Sequence, residues 1–357
     1  IDMVCVNTPD HTHFAATIAA MERGIHVFTQ KPLVHDIWQA RTLKKAKDKY
    51  KVLTNMGNQG HTFNGIRQLK EWYDYGIFGQ ITEAHSFISG PQWGSRYFAR
   101  PDRLPPSKET VPDGLNWDLW LGPTEAIDYN PVYHPLTWRG FNRYGTGTFG
   151  DWFCHVADAP VWLLDLYEPV SIEAEMTEGG NEWMVVDGCR IKFEFERRGD
   201  KAPCTFYWSN GNPAKFRPEA PADWSWPGKP MKVGTYFVGT KNSGYTDERS
   251  NNPRLGNKEA QIEFKKSGYP DEVIPRVKGG PIKELIDNIK GLIPQCGANF
   301  DYAAPMTELM LLGIIAANHG GKIEWDAQRA RITNRPELNR HLKAPVRKGW
   351  DYGRELW

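Results

Sequence analysis

The chain has 357 residues, which at about 150 residues per domain points to two cores rather than one. Its 44 Lys+Arg against 43 Asp+Glu leave a net charge of +1, so no basic face argues for nucleic acid or an anionic membrane surface. No apolar run is expected to approach the roughly 18 residues of a membrane helix, and Ile1 to Asn7 do not form a charged segment leading into a signal-peptide core.

Ile1 to Val6 reads as a strand that ends in the turn Asn7-Thr8-Pro9-Asp10. From His13 to Arg23 the apolar residues Phe14, Ala15, Ile18, Ala19 and Met21 share one helical face, and Gly24 stops the helix. Ile25 to Thr29 reads as a second strand, Ile37 to Tyr50 as a helix with a basic outer side, and Val52 to Met56 as a third strand. That alternation predicts a parallel α/β sheet. A helix over 65–75 and a strand over 81–88 follow, with a domain boundary near residue 82. Residues 90–130 are rich in Pro, Gly and Trp without a period, which predicts a long ordered loop over a site. A helix is expected over 151–165, then strands over 170–177, 183–196, 204–209 and 232–239. Successive strands without helices between them predict a mainly antiparallel sheet. Helices are expected over 281–290 and 303–319, and the basic tail over 329–357 shows no period.

Five cysteines, Cys5, Cys154, Cys189, Cys204 and Cys296, are scattered without a C-x-x-C pair, so reduced thiols are expected and no metal site is. The 15 Trp, 14 Tyr and 16 Phe make 13% of the chain, and many Trp adjoin Gly, Pro, Asp or Arg. Such rings suit the apolar faces of sugars, and they equally suit core and interface packing.

Three segments carry candidate chemistry. Gly145-Thr-Gly147-Thr-Phe-Gly150 matches the letters G-x-G-x-x-G, but the residues before it are polar and irregular. A dinucleotide turn needs an apolar strand there, so this run is read as a loop that lets the backbone approach a ligand and then opens a helix. On that helix Asp151 and His155 are four residues apart and share a face, with Asp158 on roughly the same side. A carboxylate-held His can act as a general base; an acid at a helix start beside a packed His, or a metal site, would give the same spacing. Finally, Gln30-Lys31-Pro32 and Asn7-Thr-Pro-Asp-His-Thr-His13 each follow a strand of the parallel sheet, where open α/β folds bind their ligands.

Taken in order, Asn7-Thr-Pro-Asp-His-Thr-His13, Gly24-Ile-His-Val-Phe-Thr-Gln-Lys-Pro-Leu33 and Gly145-Thr-Gly-Thr-Phe-Gly-Asp-Trp-Phe-Cys-His155 resemble segments of the Gfo/Idh/MocA family of NAD(P)-dependent oxidoreductases. Phe300-Asp-Tyr-Ala-Ala and Lys348-Gly-Trp350 resemble tail segments of its sugar-active members. The resemblance implies an α/β plus α+β fold. Residues 1–82 would form the C-terminal part of a Rossmann domain, whose first strands and phosphate loop would precede Ile1. Residues 83–357 would form a substrate-binding and oligomerisation domain with a large, mainly antiparallel open sheet.

The resemblance also implies NAD or NADP as cofactor, bound by Asn7, Thr8, Pro9, Asp10, His13, Gln30 and Lys31. Lys31 would hydrogen-bond the reacting hydroxyl, His155 would take its proton, and Asp151 would orient or share that proton. Gln30 stands where the family carries Glu, which keeps the shape and removes the charge. Position and composition make Trp93, Tyr133, Trp138 and Arg139 the candidates for contact with a small carbohydrate substrate. The expected assembly is a homodimer or homotetramer, without nucleic acid or membrane. The expected reaction is hydride transfer between the nicotinamide and a hydroxyl carbon of a sugar, polyol or glycoside. A redox-neutral glycoside-cleaving or epimerising enzyme and a non-catalytic sugar-binding or assembly protein are the alternatives.

Overall fold

Short strands alternating with helices build a parallel sheet at the start of the chain, in a computed structural model that describes residues 1–227 and 231–356. β1 (Met3–Val6), α1 (His13–Met21), β2 (His26–Thr29), α2 (Ile37–Tyr50) and β3 (Thr54–Met56) follow one another, and the strands lie side by side in parallel as β1-β2-β3. Helix α2 buries Ile37, Ala40, Leu43 and Ala46, the stripe its spacing predicts. The Asp36 carboxylate caps the helix by accepting from the Gln39 N–H at 2.8 Å.

After α3 (Asn64–Asp74) the chain enters a second sheet through β4 (Ile81–Ser89). It crosses α4 (Trp117–Leu121) within the long loop, then α5 (Gly147–Val156) and α6 (Asp158–Leu164). The remainder is β5 (Ser171–Glu178), β6 (Gly188–Phe195), β7 (Cys204–Gly211), α7 (Pro213–Phe216), β8 (Gly234–Gly239), β9 (Gly244–Thr246), β10 (Arg254–Leu255), α8 (Lys258–Lys266), α9 (Gly280–Ile289), α10 (Phe300–His319), β11 (Gly321–Asp326) and β12 (Arg331–Ile332).

The nine strands of the large sheet run β10-β9-β8-β4-β7-β6-β5-β11-β12. All its pairings are antiparallel except β4 with β7, where the strand arriving from the parallel half has been inserted in mid-sheet. On β6, Cys189, Ile191, Phe193 and Phe195 are buried while Arg190, Lys192 and Glu194 are half-exposed, the two-residue alternation of a sheet with one covered face. The cover is α5 and α10, and Phe149 of α5 stacks on Trp208 of β7 with centroids 5.1 Å apart.

Several expectations need correction. The helix expected over 151–165 starts at Gly147 and is divided at Ala157. Pro160 has no N–H to offer the Val156 carbonyl, which instead accepts from the Thr235 hydroxyl at 2.7 Å. The Ser250 hydroxyl stands between the Ala159 N–H and the His155 carbonyl, at 3.0 Å from each, replacing a helical hydrogen bond. Strand β6 begins five residues later than expected, because Met184 is bridged to Phe141. Helix α8 and strand β11 were not anticipated. Helix α10 has the length and apolarity of a membrane span, contrary to the expectation that no run would reach it, but most of it is buried in the protein core.

The periodless tail is a strap laid over α2. The Trp38 N–H donates to the Leu342 carbonyl at 2.8 Å, and the Ala344 N–H donates to Asp36 at 3.1 Å.

Candidate functional site

The C-terminal ends of the three parallel strands lead to Asn7, Gln30 and Gly57, and the segments beyond them meet α5 along its length: Asp10 at Thr146 before its first residue, Lys31 at Asp151, and Asn58 at Cys154 and His155 in its last turn. Lys31, two residues past β2, donates from Nζ to the Asp151 backbone carbonyl at 2.8 Å and also to the Asp151 carboxylate. Arg139 approaches the same carboxylate, with Nε 3.8 Å from Oδ1. Burial pushes the Asp151 carboxyl up, but the neighbouring Lys31 and Arg139 charges outweigh it and hold its pKa below the ordinary value.

A second carboxylate feels the Lys31 charge. Asp10 is buried, accepts from the Thr146 hydroxyl at 2.9 Å, and has its pKa raised to about 6. Desolvation is the main cause, with Lys31 pulling the other way and Asp151 adding to the rise.

His155, one helical turn beyond Asp151, is 4% exposed. Its Nδ1 lies 3.0 Å from Asn58 Oδ1. The Asn58 amide is oriented by its own Nδ2, which donates to the Cys154 carbonyl. The amide oxygen must therefore face the imidazole, so Nδ1 carries the proton and Nε2 keeps its lone pair. Burial, followed by the Lys31 and Arg249 charges, holds the His155 pKa well below 6.5, so the ring is neutral at neutral pH. Asn58 escaped the sequence reading, although it follows a strand of the same sheet just as Asn7 and Lys31 do.

Placement of the other candidates is uneven. Asn7 and Thr8 are exposed and Pro9 half-buried at the end of β1, and Gln30 lies across Gly57, where a Cβ would meet its Oε1 at 2.6 Å. His13 is buried with its two ring nitrogens each 2.8 Å from a carbonyl oxygen, Pro32 on one side and Thr8 on the other. Its place is thus corrected: it ties two strand-end turns together and leaves no ring nitrogen for a ligand.

Of the four proposed sugar contacts, only Arg139 reaches a group of this site. Its guanidinium lies over the Trp138 ring, 4.3 Å from the centroid, and faces Tyr97 at 5.4 Å. Tyr133 and Trp138 are 2% and 4% exposed within an aromatic cluster with Phe141 and Tyr144, so their bulk serves packing. Trp93 donates to Asp187 at 2.8 Å and is covered by Arg100, 4.5 Å from its ring centroid. The Gly145–Gly150 run does open a helix, as expected: Gly147 has φ +65°, and a Cβ there would meet Val185 at 3.0 Å.

A parallel sheet whose strand ends face a Lys–Asp pair and a neutral His, joined to a large one-sided sheet, defines a two-part nucleotide-cofactor architecture. The family model described as "Oxidoreductase family, NAD-binding Rossmann fold" matches residues 1–58, and that of its "C-terminal alpha/beta domain" matches residues 64–202. The chain belongs to the Gfo/Idh/MocA oxidoreductase family.

Among curated relatives, a 2,7-anhydro-N-acetylneuraminate hydratase of Mediterraneibacter gnavus is 27% identical over 90 residues, which are 25% of this chain and 24% of that protein. The inositol 2-dehydrogenase of Rhodococcus jostii is 32% identical over 92 residues, 26% of this chain and 25% of that protein. These matches therefore span only about a quarter of either relative's length. Among solved structures, the WlbA dehydrogenase from Bordetella pertussis in complex with NADH and UDP-GlcNAcA has a TM-score of 0.57 at 14% identity, covering 91% of this chain and 79% of that one. An inositol dehydrogenase homolog from Azotobacter vinelandii, complexed with NADH and myo-inositol, has a TM-score of 0.53 at 16% identity, covering 91% and 78%. At these identities the structures share the fold.

The donors at the strand ends fit the nicotinamide half of an NAD-type cofactor: exposed polar residues after β1, a cation after β2 and a neutral base opposite them. Among the described residues, none of the three parallel strands is followed by a glycine-rich turn, so no residue is assigned to the diphosphate.

Proposed function

We propose that this chain acts as an NAD(P)-dependent oxidoreductase on a hydroxyl carbon of a sugar, polyol or glycoside. The observation that carries the reading is a neutral, tautomer-fixed His155 one helical turn from an Asp151 paired with Lys31, beside the strand ends of an NAD-binding fold. The cofactor, when bound, supplies the hydride acceptor. His155 Nε2 takes the hydroxyl proton as the C–H bond gives up its hydride, so one proton and one hydride leave the alcohol and a carbonyl remains. Lys31 donates to the same oxygen and stabilises the negative charge that develops on it. Asp151 holds the Lys31 ammonium in place.

A second reading is favoured by the similarity to the anhydroneuraminate hydratase. The same base would serve an oxidation, an elimination or hydration, and a re-reduction with no net change in cofactor. Mixing the protein with NAD or NADP and a panel of sugars, polyols, glycosides and the corresponding sugar acids separates the two. Reduced cofactor accumulates under the first reading, and product forms without it under the second. The absence of any turnover across the panel overturns both.

A further inference from the structure

One cation near this site has no counter-charge. Arg249 lies in the loop between β9 and β10, and among the described residues no carboxylate stands within ion-pair distance of it. Its guanidinium is nevertheless held: Nη1 donates to Gln59 Oε1 at 2.7 Å, and the Trp152 ring lies beneath it, 5.5 Å from the centroid. Gln59 adjoins Asn58, and Trp152 stands edge-on to the His155 imidazole with centroids 5.8 Å apart. Both supports of Arg249 therefore belong to the elements that position His155. The remaining edge of the guanidinium, Nε and Nη2, has no protein partner among the described residues, and two parallel N–H groups of that kind match the two oxygens of a carboxylate.

The loop is built to hold this side chain. Ser250 and Asn252 sit at φ +54° and +49°, a region that residues with side chains rarely adopt. The Asp247 carboxylate gathers the Arg249 and Asn251 N–H groups at 3.0 and 2.9 Å, and Ser250 inserts into the α5–α6 break at His155. On the other side a Cβ at Gly60 would lie 2.5 Å from the Arg249 carbonyl oxygen, so the loop backbone rests directly on the turn that follows Asn58. Strained, fully bonded loops of this kind are kept where a side chain must be presented accurately.

We propose that Arg249 is a specificity-determining residue that receives a carboxylate carried by the substrate, so that the preferred substrates are sugar or polyol acids. The proposal rests on the oxidoreductase reading for what is bound, and its test uses binding alone so that the two can fail separately. Uronic and aldonic acids, each paired with its neutral parent sugar or polyol and its methyl ester, are titrated calorimetrically into the full chain and into Arg249→Gln and Arg249→Lys. At least one acid is expected to bind about ten-fold or more tightly than its neutral parent and its ester. That preference should vanish in Arg249→Gln and survive in part in Arg249→Lys, with thermal unfolding unchanged. No acid exceeding its neutral partners, or a preference that persists in Arg249→Gln, overturns the proposal. Acid binding by a chain that turns over no compound of the panel would retain the carboxylate site and remove the oxidoreductase reading.

Discussion

His155 Nδ1 is protonated because Asn58 presents an oxygen, and Asn58 presents an oxygen because its nitrogen is spent on Cys154. Replacing that amide by a carboxylate keeps the shape and adds a negative charge beside the ring, which favours the imidazolium. Asn58→Asp should therefore move the acid limb of the pH–rate profile upward from its position below 6.5, and Asn58→Ala should lower turnover about ten-fold or more by freeing the tautomer. Profiles that coincide with wild type would remove Asn58 from the site.

Asp10 makes a stability prediction of opposite sign to that of an ordinary carboxylate. Its folded pKa is raised from 3.8 to about 6 by burial, so the folded state holds the proton more tightly than the unfolded chain. The contribution is complete below pH 3.8 and is lost as pH rises through about 6. Asp10→Asn, which can still accept from Thr146, should be more stable than wild type above pH 6, with the difference shrinking towards pH 4, as read by urea unfolding across pH.

At the scale of elements, the site depends on how α5 is laid over the large sheet. Gly313 of α10 lets the two helices close up, since a Cβ there would lie 2.5 Å from Phe149 and 2.7 Å from Phe193. Gly313→Ala should cost about 1–3 kcal/mol through overpacking. Because the displaced Phe149 is on the helix that carries Asp151 and His155, turnover should fall with stability. An alanine variant as stable and as active as wild type would show that the contact relaxes freely.

The elements that could be read from sequence were those with a local period: α1, α2, and β6 with its alternate buried residues. The local half of the α5–α6 break is legible in Pro160, which has no N–H for the Val156 carbonyl, but the Ser250 hydroxyl that bridges the break is not, because it comes from about 95 residues away in the chain. The tail strap is equally illegible, since its order comes from hydrogen bonds to the Trp38 N–H and the Asp36 carboxylate at the start of α2 rather than from any pattern of its own.

For the whole molecule, the legible part of the site is the part governed by a rule about folds. Ligands gather beyond the strand ends of open α/β sheets, which singled out Lys31 and the residues after β1; the same rule applied to β3 would have reached Asn58. The aromatic excess misled in the opposite direction. Tyr133 and Trp138 fill a satellite core under the long loop, and aromatic composition alone could not separate that packing from a sugar platform. Arg249 carries no local signal, because it is brought to His155 by the order of strands in the large sheet.

The central claim is that His155 is the neutral base at the junction of the two sheets, and the most direct measurement compares cofactor-linked turnover of wild type and His155→Ala across pH. Wild-type turnover should stay level from pH 8 to 7 and fall only below 6.5, while His155→Ala, folded as judged by circular dichroism, should lose about 100-fold or more and its acid limb with it. A variant that retains both the wild-type rate and the wild-type pH profile would contradict the account.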